Sequence, residues 1–356
     1  MKLGLGLYRH MLTAENYRFA KQCGCTHLVV HLVDYFFQGE DDGQNQPVGS
    51  NAGWGRAGDP HKVWTYNELA ELKAQINSAG LELFAIENLD PAHWYDVLLD
   101  GPKKQEHLEN VKTIIRNMGR VGIPVLGYNF SIPGVAGRIK GPFARGDAIS
   151  VGMDEVDQTP IPKGMVWNMV YDPDAPAGTV PTAAPEQLWQ RLSDFLEAVV
   201  PVAEEAGVTL AAHPDDPPVP MLRSQPRLVY QPRLYQKLLD LKPSSRNALE
   251  FCVGSLAEMT EGDIYQVVDQ HSRQGKVVYV HLRNVRGKAP HYRETFIDEG
   301  DVDVFRVLEI LKRNQFQGVI IPDHTPLVEC TAPWHAGMAY ALGYLRAFLQ
   351  KLDGDG

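Results

Sequence analysis

Cysteine is scarce in this chain. Four of 356 residues are cysteine, at positions 23, 25, 252 and 330. Four is too few for a disulfide framework and fits a reducing compartment. Cys23 and Cys25 lie where a helical pattern meets an apolar run, and read as small buried residues at a helix–strand corner. Long apolar runs are missing too: no stretch approaches the ~20 apolar residues that span a bilayer. The opening MKLGLGLYRHML holds an apolar run too short for a secretory signal core. No block of basic residues and no cationic amphipathic helix occurs in a chain of formal net charge −10. Nucleic acid and membrane surfaces are therefore not the expected partners. An anionic small molecule stays open, because arginines can act locally. Low-complexity tracts and a Gly-rich nucleotide fingerprint are also absent. Together these absences predict a soluble, cytoplasmic protein.

What is present is alternation. Apolar runs at 3–7, 26–33, 81–87, 123–130, 208–213, 247–252, 277–284 and 318–323 read as strands. Amphipathic stretches at 13–24, 65–80, 103–119, 185–207, 231–241, 259–272, 301–314 and 333–352 read as helices. Eight strands, each followed by a helix, imply a parallel sheet. With no nucleotide fingerprint, a closed (β/α)8 TIM barrel is the expected fold, as a single domain over residues 1–356. Two polar, Gly- and Pro-rich insertions, about 34–63 and 131–184, follow strands two and four. Loops of that length in a compact domain are usually functional, so they read as lids.

AHPDDPP (211–217) puts His213 at the end of an apolar run, then two carboxylates in a proline-rigid turn. Cys252 closes EFC, His281 stands in YVHLRN, and Asp323 closes IIPD. These four residues end the fifth to eighth strands. In a barrel, C-terminal strand ends converge on the catalytic face. A common divalent metal is the economical reading. Thiolate and imidazole donors lean toward zinc, while one carboxylate keeps Mn2+ and Fe2+ open. Four protein ligands in a tetrahedron would close the shell. Catalysis therefore requires a five- or six-coordinate ion that also takes substrate oxygens.

Other strand-end residues point at the same rim. His31, Glu87 and Asn129 are candidate substrate contacts. Arg283 lies two residues beyond His281, on the same side of an extended chain. Arg138, Arg145 and Lys163 in the second insertion are candidate carboxylate clamps, and arginine's planar fork suits that task better. Asp215 and Asp216 flank His213; one is expected to orient the imidazole and the other to cap the turn. His324, next to Asp323, is the best-placed general acid or base.

On YNF (128–130), VVPVAEEAGV (199–208), AHPDDPP, FCVGS, HLRN, GDVDVF (300–305) and PDH (322–324), the chain resembles the mannonate dehydratase family. That family lies within the xylose-isomerase-like barrels. The resemblance implies dehydration of D-mannonate to 2-dehydro-3-deoxy-D-gluconate, a step of glucuronate catabolism, with Mn2+ or Fe2+. It implies His213, Cys252, His281 and Asp323 as metal ligands and His324 as catalytic acid/base, and it moves the preferred metal from zinc to manganese. A homo-oligomer acting on a small sugar acid is expected. The family has two histidines before GDVD; here Arg293 and Ile297 stand there, while Glu294 matches. The family's tyrosine in the last helix falls on Ala339, with Tyr340 one residue later. The opening reads LYRH, where the family is rich in aromatics.

Dehydration needs a base for the C2 proton and an acid for the departing C3 hydroxyl. His324 is expected in one role. Tyr340, Asp215 or a water linked to Arg283 are candidates for the other. The competing readings are a metal-dependent sugar isomerase or epimerase on the same barrel, and a non-catalytic sugar-acid-binding relative.

Overall fold

The expected strands close on themselves. The computed structural model describes residues 1–36, 48 and 53–354. In it, eight parallel strands form a closed barrel: β1 (Lys2–Leu7), β2 (His27–Val30), β3 (Glu82–Glu87), β4 (Val125–Tyr128), β5 (Thr209–Ala212), β6 (Asn247–Cys252), β7 (Val277–His281) and β8 (Val319–Ile321). Neighbours in sequence are neighbours in space, and β8 returns to β1. The helices form the outer ring: α1 (Ala14–Gln22), α2 (Tyr66–Ser78), α3 (Lys104–Val121), α4 (Pro185–Ala206), α5 (Arg233–Leu241), α6 (Ile264–Arg273), α7 (Val304–Arg313) and α8 (Pro333–Gly354). None of the described helices is long and apolar enough to cross a membrane.

Local chemistry sets the helix ends. The Thr13 side chain accepts the Asn16 N–H at the start of α1. Thr65 and Glu68 form a reciprocal capping box on α2. Asp263 and Asp303 cap α6 and α7. On α7, Val304, Val307, Leu308 and Leu311 are buried, the spacing of one helix face. Each such side chain gains roughly 1.5–3 kcal/mol from burial.

Several boundaries differ from expectation. α3 runs on to Val121, because Gly122, at φ 78°, is its terminator. Gly119 instead serves a helix contact: a Cβ there would stand 2.4 Å from the Ala206 carbonyl of α4. The stretch expected as one helix over 259–272 begins only at Ile264, and a separate short helix, Val253–Glu258, follows β6 directly.

The insertions build a roof over the C-terminal end. Strands Ile139–Ala144 and Ala148–Met153 form an antiparallel pair. His291–Thr295 and Asn284–Lys288 extend it to a four-stranded sheet. The apolar run expected as a strand to 284 therefore divides: β7 ends at His281, and Asn284 opens a hairpin. A smaller sheet pairs Gly55–Arg56 with Met169–Val170, so the two insertions hold each other. Of the first insertion, residues 37–47 and 49–52 lie outside the described residues.

Candidate metal centre and active site

Register brings the ligand candidates together. Cys252 pairs with His281 across β6 and β7, and His281 pairs with Ile321 on β8, two residues before Asp323. One ligand atom each of His213, Cys252 and His281 lies within 4.8 Å of the others. Cys252 Sγ is 3.8 Å from Asp323 Oδ2, and His281 Nδ1 is 3.5 Å from Asp323 Oδ1. Three of the expected ligands thus cluster, and Asp323 joins them beside Cys252 and His281.

Surrounding groups fix their orientation. His213 Nδ1 is 2.6 Å from the Pro214 carbonyl, which makes Nδ1 the donor and leaves Nε2 as the ligand atom. His281 Nε2 lies 3.1 Å from Glu87 Oε2 and 3.0 Å from Glu250 Oε1, so its Nδ1 faces Asp323 and the cluster. Ser255 gives Cys252 Sγ two hydrogen bonds, from its amide at 3.4 Å and its hydroxyl at 3.2 Å.

The electrostatics suit a cation. Burial pushes the Cys252 thiol up. The Arg283 guanidinium and hydrogen bonds with His213 and His281 outweigh it and bring the thiol down to about 6. A thiolate is the form that binds metal. Burial also opposes ionisation of Asp323, yet His324 and His281 hold it well below the carboxylate range. His213 is pushed up to about 10: burial opposes its charge, but Glu250 and Cys252 favour it. His281 is likewise raised, by Glu87, Asp323 and Glu250 against burial. Burial and the neighbouring Glu87 charge raise Glu250, whose two oxygens are buried without a well-formed hydrogen bond. A sulfur, two imidazoles and a carboxylate in a buried, anion-rich pocket fit a divalent transition ion.

The remaining expected site residues divide. His324 belongs to the centre: Nε2 lies 3.1 Å from Asp323 Oδ1 and Nδ1 3.0 Å from Glu294 Oε2. Arg138 is buried beside it, 3.7 Å from Glu294 and 3.9 Å from Asp216. Glu87 braces His281, and His31 sits 3.7 Å from Glu87.

Arg283, expected to hold substrate, is engaged within the protein. Nε reaches Asp323 at 2.9 Å, one Nη reaches Glu258 at 2.6 Å, and the other reaches Asp216 at 2.9 Å and Ser255 Oγ at 3.2 Å. Its stem lies against Gly254, where a Cβ would meet Arg283 Cγ at 2.5 Å. Asn129 is a brace as well: its amide donates to Pro214 O at 2.9 Å and its oxygen accepts from Trp167 Nε1. Asp215 is committed to the turn, with Oδ2 2.7 Å from the amides of both Leu228 and Val229 and Oδ1 2.7 Å from Arg227 Nε.

Tyr340 does not reach the centre. It is 41 % exposed on α8, with its hydroxyl between Asp298 and Arg145. Arg145 itself is an exposed strap to Asp298, and Lys163 is exposed. Four residues were not singled out in the sequence: Glu250, Ser255, Glu258 and Tyr8. Glu250 had a readable signal, being the lone charge in the apolar run NALEFC, two residues before Cys252 and so on its side of the strand.

A family model described as D-mannonate dehydratase (UxuA) matches residues 50–137 and 179–347, well over half the chain. The chain belongs to the D-mannonate dehydratase family. The stretch between the matched blocks contains the 139–153 hairpin of the roof. A mannonate dehydratase of Streptococcus pneumoniae is 32% identical over 281 residues, covering 74% of this chain and 75% of that protein. One from Geobacillus thermodenitrificans is 29% identical over 323 residues, covering 83% and 85%. The crystal structure of mannonate dehydratase from Streptococcus suis serotype 2 superposes with a TM-score of 0.75 at 25% identity, covering 99% of this chain and 93% of that one. A D-psicose 3-epimerase from Clostridium cellulolyticum, at 11% identity and TM-score 0.58, covers 98% and 99% and shares the fold.

Proposed function

We propose that this member of the D-mannonate dehydratase family removes water from D-mannonate to give 2-dehydro-3-deoxy-D-gluconate, in glucuronate catabolism, with Mn2+ as the resident ion. The observation that carries the reading is the convergence of His213, Cys252, His281 and Asp323 with His324 at their side. A cytoplasmic location accords with an unpaired, metal-binding Cys252.

The C2 proton of an aldonate is weakly acidic, because its removal spreads charge onto a carboxylate. A Mn2+ or Fe2+ ion held by the four ligands supplies Lewis-acid stabilisation of that charge. The protein supplies the rest. Arg138, buried at the roof's edge, offers a planar cation to the substrate carboxylate. His324 is pushed up to about 9: burial opposes its charge, but Asp323 and Glu294 hold the proton. A metal ion held by Asp323 would offset part of the charge that keeps this proton and so favour the neutral imidazole. Nε2 then becomes an acceptor for the C2 proton, while Glu294 keeps Nδ1 and the ring in place.

The test is anaerobic incubation of Mn2+-loaded protein with a panel of aldonates, read for 2-keto-3-deoxy product. Product from D-mannonate is expected. A stereoisomer of equal mass would show an epimerase, and no product from any aldonate would refute the dehydratase reading.

A further inference from the structure

Two tyrosines are candidates for proton transfer at this mouth, and the fold separates them. Tyr340 faces outward with its hydroxyl engaged by Asp298 and Arg145. Tyr8, the residue after β1, stands on the inner rim. β1 lies between β2 and β8 in the closed barrel, so Tyr8 sits between His31, which follows β2, and Asp323 and His324, which follow β8. Its ring tilts over the His31 imidazole with centroids 5.1 Å apart, and is met edge-on by Phe36 at 5.2 Å and Tyr35 at 6.1 Å.

Those contacts hold the ring and leave the hydroxyl unengaged. Tyr8 Oη makes no hydrogen bond to another described residue. It lies within electrostatic reach of Asp323, Glu87, Glu294 and Arg138. Burial first, then Asp323 and Glu87, raise its pKa well above the ordinary tyrosine value, so the group stays O–H at neutral pH. A phenol held by aromatic contacts beside the carboxylates of the centre is arranged as a donor.

We propose that Tyr8 is a catalytic residue: its hydroxyl meets the substrate's C3 hydroxyl and gives it the proton with which it leaves as water. The proposal rests on the dehydratase reading. The C2 proton passes to His324, and the C2–H electron pair becomes the C2–C3 double bond. The C3–O bond breaks with its pair on oxygen, and the Tyr8 proton completes water. The enol then converts to the 2-keto acid. The phenolate regains a proton from solvent while His324 releases one, which restores the starting state.

Tyr8→Phe keeps the ring and its packing. On D-mannonate, kcat falls on the order of 10²–10⁴-fold, the usual contribution of one acid–base group. KM and bound manganese stay within about twofold, because the lost interaction belongs to the transition state. The decisive arm uses the 3-deoxy-3-fluoro analogue of mannonate. Fluoride leaves without a proton, so the variant keeps roughly the parent rate. C2 hydrogen exchange with D2O also persists in the variant. Equal losses on both substrates, or no loss on either, would overturn the assignment. A parent protein that forms no 2-keto-3-deoxy acid overturns the dehydratase reading, and the Tyr8 role with it.

Discussion

Replacing Arg283 by methionine keeps an apolar stem and deletes the guanidinium. The residue is 2 % exposed and touches Asp216, Glu258 and Asp323 at 2.6–2.9 Å. Breaking one buried ion pair costs about 3–5 kcal/mol. Tripling that would be wrong, because pairs that share a partner are not additive. Glu258 is already held well above the usual glutamate range by burial, so it takes up a proton once Arg283 is gone. Asp216 keeps Arg138 at 3.9 Å. Asp323 bears the main loss. The expected cost is therefore near that of a single pair, about 3–5 kcal/mol, a large part of a typical total of roughly 5–15 kcal/mol. Asp323 also loses its orienting donor, so metal affinity should fall about 10–100-fold. Urea unfolding followed by tryptophan fluorescence gives the first quantity and metal titration the second. Had Arg283 been a substrate clamp, stability would hold within about 0.5 kcal/mol and only KM would rise. That pattern would refute the reasoning.

Other consequences follow from the same geometry. In metal-free protein at pH 7, His213 and His281 carry protons, while Cys252, near pKa 6, has mostly lost its own. Metal uptake should then release about two to three protons, from His213, His281 and in part His324, and affinity should fall at least roughly 100-fold for each unit that pH falls. Calorimetry in buffers of different ionisation enthalpy reads this directly; no net release would contradict it. Tyr340→Phe should leave kcat within about twofold of the parent. Asp215→Asn should destabilise the 213–229 turn by about 1–3 kcal/mol, while folded protein keeps most of its kcat. A kcat loss above about 100-fold for either would return that residue to the chemistry. Gly127→Ala puts a Cβ 2.3 Å from Tyr279 Oη and 2.8 Å from Glu250 Oε2 in the barrel interior, and should lower stability by about 1–3 kcal/mol in thermal melts.

The gathering of His213, Cys252, His281 and Asp323 at one end of the barrel was legible because each ends a buried apolar run, and barrel topology sends all such ends to one face. The barrel itself was legible because eight strands alternate with amphipathic helices. Arg283 was misread for a physical reason. Its partners Asp216, Glu258, Glu294 and Asp323 come from four separate segments, and nothing in HLRN shows that four carboxylates will surround it. Asn129 reads in sequence as a substrate contact and Asp215 as a catalytic group for the same reason that they brace a turn: all these purposes need a short polar side chain near a strand end. The roof hairpin at 139–153 escaped notice because IKGPFA contains a glycine and a proline and shows no clean alternation. Tyr8 was hidden in LYRH, since a lone aromatic after a strand usually belongs to the core.

The central claim is that Cys252, as a thiolate, shares one divalent ion with His213, His281 and Asp323. Cobalt substitution tests it most directly. One Co2+ per chain should give a near-ultraviolet thiolate-to-cobalt charge-transfer band that disappears in Cys252→Ser. A band that survives that substitution, or stoichiometric cobalt with no such band in the parent, would contradict the account.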